Sequence, residues 1–246
     1  MQTALITGAS GGVASSLAQL LTTQGWRLAL TSRDAGLAVG PLAHLASADV
    51  STEAGAVSAI ELATEHFGSV PTALVHCAGS VLIAPMSRTS ESQYRSVMAA
   101  NLDSAFFIGK AYAAAVARAG QPASLVFFSS VVAAIGVANH AAIAAAKGGV
   151  EALTRSMAAD FSTIGLRVNC IAPGLMRGAA TERLLGNPAG ARQISAQYPL
   201  GRHGEPADAA NLAAFLVSDA SSWLTGQVIG LDGGFTAVRP LVRAAS

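Results

Sequence analysis

The stretch TGASGGVA, residues 7–14, decides how the rest of the chain is read. It grows out of the apolar run TALIT (3–7) and opens a helical pattern near residues 13–24. Gly8 and Gly12 permit a tight turn and close approach to the backbone. A helix that starts there offers unpaired N–H groups and a partial positive charge, which suit a pyrophosphate. Ser10, Gly11 and Val13 belong to the same turn. Taken alone, the motif also fits a purely structural strand-to-helix turn. Outward from it, RLALT (27–31), TALVH (72–76), SLVFFS (124–129), LRVNCIA (166–172) and QVIGL (227–231) read as buried parallel strands. Helical patterns fall between them, near residues 53–66, 90–118, 140–162 and 206–218. This alternation predicts an α/β fold with a doubly wound parallel sheet. No internal repeat or linker divides residues 1–246, so a single domain is expected.

Composition bounds the function. The chain is 52% hydrophobic and 12% charged, with a net charge of +1. That balance gives no reason to expect nucleic acid as a partner. Cys77 and Cys170 sit inside apolar runs and imply no disulfide framework, which suits a reducing, cytoplasmic setting. MQTALITGAS has no basic region ahead of its apolar run, so no signal peptide is read there. The uncharged stretch from Ala119 to Ala146 is long enough to raise a membrane span. Its interior Pro122, Gly136, Asn139 and His140 favour strand, loop and helix instead, and no membrane partner is expected. No metal site is expected either.

Further motifs stand in order along the chain. Asp49-Val50 precedes the second helix, and HCAG (76–79) follows the TALVH run. Asn101 lies in AANLDSAF, FFSS (127–130) ends the SLVFFS run, PG (173–174) follows LRVNCIA, and GQVIGLDGG (226–234) closes the series. With the Gly-x-x-x-Gly-x-Ala turn, these resemble the short-chain dehydrogenase/reductase (SDR) family over nearly the whole chain, and its 3-oxoacyl-carrier-protein reductase-like members in particular. Ala14 stands where that family usually has a third glycine, and HCAG where it often has NNAG. The resemblance implies a Rossmann-type sheet of about seven strands that binds a nicotinamide dinucleotide at the strand ends. It assigns Gly8, Ser10, Gly11, Gly12, Val13, Ser32, Arg33, Asp49, Val50, Cys77, Ala78, Gly79, Asn101, Lys147, Pro173 and Gly174 to the cofactor.

A carboxylate at the end of the second strand would bind the ribose 2′-OH and favour NAD(H). In LALTSRD (28–34) that place holds Ser32, followed by Arg33. A guanidinium can grip a 2′-phosphate with paired hydrogen bonds, so NADP(H) is favoured over NAD(H). Asp34 is placed to neutralise part of that charge, and Arg33 also reads as an ordinary surface arginine.

The stretch NHAAIAAAK (139–147) carries the anomaly. The family resemblance implies a Tyr-x-x-x-Lys pair about 6 Å apart on one helix face. Lysine there holds the nicotinamide ribose and lowers the tyrosine pKa, and tyrosine gives its proton to the carbonyl oxygen. Serine helps to hold that oxygen and asparagine supports a proton relay. Lys147 fits the lysine, Ser130 the serine and Asn101 the asparagine, which leaves Ile143 at the tyrosine place. Isoleucine donates no proton. With Asn139 as N-cap, His140, Ile143 and Lys147 share one helix face. His140-x6-Lys147 then resembles the Tyr-x6-Lys spacing of SDR-related enoyl reductases. A helix N-terminus favours neutral imidazole, whose N–H could stabilise an enolate. The sequence therefore supports an NADP(H)-dependent reductase of a carbonyl or conjugated enoyl group with His140 as proton donor or oxyanion partner. It equally admits a nucleotide-binding homologue without chemistry, in which His140 merely caps a turn. Among the tyrosines, Tyr94 and Tyr112 read as helix packing, and Tyr198 as able to swing into the site.

Residues 174–204 are the least regular and read as a lid. Arg177, Arg183, Arg192 and Arg202 there face one acid, Glu182, which suits a phosphorylated or acyl-carrier-linked substrate as well as a small molecule. Gly178 replaces a threonine the family often has, with Thr181 as a substitute. The Ala-rich helix faces at 104–118 and 144–159 suit a homotetramer or homodimer, and the tail beyond Phe235 suits fraying or contact with another subunit.

Overall fold

The computed structural model describes residues 1–33, 43–44 and 47–239, with backbone alone at 43, 44, 180 and 183. Asp34, the Arg183 side chain and the end of the tail lie outside it. Among the described residues, seven parallel strands form one sheet in the order β3-β2-β1-β4-β5-β6-β7. They are β1 Thr3–Thr7, β2 Arg27–Thr31, β3 Ala43–His44, β4 Ala73–His76, β5 Ala123–Phe128, β6 Leu166–Pro173 and β7 Val228–Leu231. The long strands are apolar on both faces because both faces are covered. Alternate residues serve opposite cores. Leu5, Leu74, Leu125 and Val168 join helices α2 (Glu53–Phe67), α4 (Ser104–Ala119) and α5 (Ala141–Phe161). Ile6, Val75, Val126 and Ile171 join α1 (Gly12–Thr23) and α8 (Pro206–Val217).

Strand order reverses at β1, which pairs with β2 on one side and β4 on the other. The crevice at such a reversal is where doubly wound sheets take ligands. Three expectations need correction. The 90–118 pattern is not one helix but α3 (Glu91–Met98), a π-turn at Ala99–Asp103, and α4. Residues 174–204 contain two short helices, α6 (Glu182–Leu185) and α7 (Pro188–Ser195). Asn139 is not an N-cap: its φ is 66°, and His140 is the cap of α5. Asparagine tolerates that left-handed conformation, which turns the chain into the helix one residue late. Ile143 and Lys147 lie inside α5, and His140 stands at its cap. Among the described residues no helix is long and apolar enough to cross a membrane.

Candidate functional site

The turn after β1 is built for close approach. Gly8 has φ 69°, and a Cβ there would lie 2.5 Å from the Ala78 nitrogen. Only glycine lets the β1 and β4 turns meet. Gly11 caps α1 without a side-chain hydrogen bond, and no acid sits in the first turn, so the helix end keeps its positive character. A cavity of about 150 Å³ opens above these turns. It gathers Gly8, Ser10, Gly11, Ser32, Arg33, Asp49, Val50, Cys77, Ala78 and Gly79, with Thr7 and Ser104 behind them. Gly12 has another task, because its Cβ position faces the Pro206 ring at 3.3 Å, where α1 packs on α8. Val13 follows in the first turn of α1 and is half-buried.

At one end of this cavity, Ser32 is buried and Arg33 is exposed. The Asp49 carboxylate accepts the Ser51 N–H at 3.1 Å and its hydroxyl at 2.7 Å. Those bonds to Ser51, helped by the Arg33 charge, hold its pKa below the ordinary carboxylate value.

At the other end, Asn101 and Lys147 converge on Gly79. A Cβ on Gly79 would lie 2.9 Å from Asn101 Oδ1 and 3.5 Å from Lys147 Nζ. Asn101 is buried in the π-turn, a feature common at functional sites. Its Oδ1 accepts the Ser80 N–H at 3.2 Å, and its amide donates to the Val97 carbonyl at 2.9 Å. Lys147 Nζ donates to the Phe128 carbonyl at 2.8 Å. Burial pulls its pKa down to about 8. Desolvation disfavours the ammonium, and one carbonyl only partly replaces water.

Ile143 is 3% exposed and packs with Val97 and Ala146, flanked by Leu82, Met98, Leu102, Val132 and Ala142. Ser130 is half-buried just beyond β5, where its hydroxyl accepts the Val132 N–H at 3.4 Å. His140 is partly exposed, and its Nδ1 lies 2.7 Å from the Ala138 carbonyl oxygen. Ser130 and His140 thus turn their hydrogen bonds to neighbouring backbone, while Asn101 and Lys147 face each other across Gly79. Pro173 and Gly174 end β6 beside a separate cavity of about 100 Å³ that Gly174 lines with Tyr198 and Asp232.

Two tyrosine expectations fail. Tyr198 is 8% exposed, accepts the Leu175 N–H at 2.7 Å, lies against Phe235 and lines the separate cavity, so it is held in place there. Tyr94 is exposed rather than packed. Tyr112 is buried and donates to the Pro71 carbonyl, as packing requires. Thr181 spends its hydroxyl on the Met176 carbonyl at 2.6 Å. Arg177 and Arg202 are paired with Glu205 and Asp208, which weakens the case for a cationic lid.

Sequence reading missed the support behind the cradle. His76 is buried between β1 and α4, with Nδ1 2.8 Å from Thr7 Oγ1 and Nε2 3.0 Å from Ser104 Oγ. Ser104 in turn donates to the Ala100 carbonyl in the π-turn at 2.8 Å. Burial, aided by the Lys147 charge, pulls the His76 pKa down to about 3. Ser129 ties β5 to α5 by donating to Glu151 Oε1 at 2.7 Å. A histidine inside an apolar strand run was the available signal for the first.

Comparison with known proteins agrees with this geometry. Residues 8–236 match a family model described as enoyl-(acyl carrier protein) reductase. The chain is 34% identical over 247 residues to 2-(S)-hydroxypropyl-CoM dehydrogenase 3 of Xanthobacter autotrophicus, covering 95% of this chain and 96% of that one. It is 36% identical over 233 residues to the inactive 2-(S)-hydroxypropyl-CoM dehydrogenase 2 of the same organism, covering 90% of this chain and 100% of that one. A short-chain type dehydrogenase/reductase from Mycobacterium ulcerans superposes with a TM-score of 0.87 at 29% identity, over 95% of this chain and 89% of that one. The chain belongs to the short-chain dehydrogenase/reductase family of oxidoreductases, whose fold implies a nicotinamide cofactor.

Proposed function

We propose that the protein is an NADP(H)-dependent oxidoreductase acting on a carbonyl, conjugated enoyl or related alcohol group, with His140 handling the proton that tyrosine handles elsewhere in the family. One observation carries the reading: the cavity cradle runs into the Gly79–Asn101–Lys147 cluster, so a pyrophosphate turn and a ribose-binding ammonium lie along one crevice. When bound, the nicotinamide would exchange a hydride equivalent with substrate. Gly8 and Gly11 would hold its pyrophosphate, and Lys147 and Asn101 the ribose side. Ser130 would steady the substrate oxygen. Arg33 supports NADP(H), because it stands at the cavity rim with no carboxylate at Ser32 to repel a phosphate. Residues 174–204 would act as a lid over a small-molecule or acyl-carrier-linked substrate. Exposed Trp223 and Phe106 support a homotetramer or homodimer, and free cysteines support a cytoplasmic setting.

A second reading has its own support. Ile143, at the tyrosine place, is sealed in an apolar cluster, and one relative is named inactive. A nucleotide-binding subunit without turnover would look like this. NADPH and NADH affinities, followed by turnover on carbonyl, enoyl and alcohol panels, separate the cases. The expected result is tighter NADPH binding and turnover lost in His140→Ala. Tighter NADH binding overturns the cofactor assignment. NADPH binding without any turnover supports the silent reading. Unchanged turnover in His140→Ala removes His140 from the chemistry.

A further inference from the structure

Thr7, Ala100 and Ser104 line the cavity above the glycine turn, and a residue that does not line it joins them. That residue is His76, only 3% exposed. Its Nδ1 lies 2.8 Å from Thr7 Oγ1, and its Nε2 lies 3.0 Å from Ser104 Oγ. Ser104 Oγ donates to the Ala100 carbonyl at 2.8 Å. A hydroxyl has one hydrogen, and this one is spent on an oxygen that only accepts. Ser104 therefore accepts from His76, so Nε2 carries a hydrogen. Burial keeps the ring neutral, with its pKa pulled down to about 3. Nδ1 is left to accept from the Thr7 hydroxyl. Every bond in the chain runs one way, from Thr7 through His76 and Ser104 to Ala100.

The ends of this chain belong to the two ends of the crevice. Thr7 precedes Gly8, whose turn meets the Ala78 backbone. Ala100 precedes Asn101 in the π-turn, and Asn101 faces Lys147 across Gly79. The glycine turn has backbone anchors of its own: the Cys77 N–H reaches the Thr7 carbonyl, and the Ala9 N–H the Thr31 carbonyl, each at 3.2 Å. Asn101 holds Ser80 and Val97 with its own amide, while Ser104 and His76 tie the backbone ahead of it to the sheet. A buried imidazole costs desolvation, which pairing at both nitrogens offsets. We propose that His76 is a positioning residue of the crevice: it sets the distance from the glycine turn to the Asn101–Lys147 end, and so favours a whole dinucleotide, which spans both, over its adenosine half. The proposal rests on the reading of this crevice as a dinucleotide site.

The test is calorimetric titration of NADPH, and of adenosine 2′,5′-bisphosphate as its adenosine half, into full-length wild type, His76→Leu, His76→Gln and Ser104→Ala. Leucine removes both ring nitrogens, glutamine keeps a donor and an acceptor, and Ser104→Ala breaks the chain at its other end without touching β4. NADPH should bind His76→Leu and Ser104→Ala roughly tenfold more weakly, the scale of one buried hydrogen bond left unmade. The half-ligand should bind each protein alike, and His76→Gln should recover most of the NADPH affinity. NADPH affinity unchanged in either folded variant overturns the proposal, and so does an equal loss for both ligands. Nitrogen–proton correlation NMR of the imidazole needs no ligand: a protonated Nε2 and a bare Nδ1 are expected for His76, and a protonated Nδ1 on the neutral ring overturns the proposal. A wild-type protein that binds neither ligand overturns the dinucleotide reading, and the proposal with it, even where the spectrum is as expected.

Discussion

Lys147 shows how a site residue can work against stability. Its pKa falls from 10.5 to about 8 on burial. Between those values the unfolded chain binds the proton and the folded chain does not, so stability rises with pH through that window. Below about pH 8 the buried ammonium costs on the order of 3 kcal/mol. Lys147→Met should therefore be more stable than wild type in denaturant titrations at pH 7, and the gap should close by pH 10.5. His76 gives the acid counterpart. Its pKa falls from 6.5 to about 3, so the unfolded state takes up the proton first and stability drops as pH falls below 6.5. His76→Asn should flatten that slope in urea titrations between pH 6.5 and pH 3. Ile143→Tyr puts a larger, polar side chain in a pocket already filled. Overpacking a sealed cluster costs about 1–3 kcal/mol, so a lower melting temperature is expected even if carbonyl reduction improves. Motif and register singled out Asn101, Ser130, Ile143 and Lys147 in the sequence, and the structure brings Asn101 and Lys147 together at Gly79. The hydrogen bond of the His140 ring was not legible, since it depends on where the Ala138 carbonyl comes to lie.

Among the elements, the strands were the most readable. TALIT and RLALT coincide with β1 and β2, because strands buried on both faces are continuous apolar runs. The break between α3 and α4 left no comparable trace. The π-turn is bounded by Ser104, which reaches the Ala100 carbonyl and is itself braced by His76 from a different strand. Tertiary contacts of that kind do not appear as periodicity. Asn139 misled for a related reason, since asparagine serves both N-caps and left-handed turns. The 174–204 segment is fastened at its base. Met176 and Gly204 form an isolated parallel bridge. Arg177 donates to Glu205 at 3.0 Å and to His203 Nε2 at 3.0 Å, and His203 Nδ1 meets Ser195 Oγ at 3.1 Å. Because guanidinium only donates, His203 Nε2 accepts and its Nδ1–H goes to Ser195. His203→Ala should release α7, giving faster tryptic cleavage within 178–202. The melting temperature should fall as well, because the His203 side chain is only 12% exposed and its bond to Ser195 is part-buried.

For the whole molecule, the sheet order sets the chemistry. The reversal at β1 brings the Gly8 and Gly79 turns to one crevice, and α5 carries Lys147 to its far end. Dinucleotide binding should couple to global stability, by about 2.7 kcal/mol at a concentration 100 times the dissociation constant. Arg33→Ala should weaken NADPH by roughly tenfold, the value of one charge-assisted contact, and leave NADH unchanged in the same titration. The central claim is that the crevice between the Gly8 and Gly79 turns is a dinucleotide site. Calorimetric titration of NADPH into wild type and Gly8→Val tests it most directly. Gly8 has φ 69°, and a Cβ there would collide with the Ala78 nitrogen at 2.5 Å. Saturable binding at one site per chain, abolished in a folded Gly8→Val, is the expected result; no binding of either NADPH or NADH by the wild-type protein would contradict it.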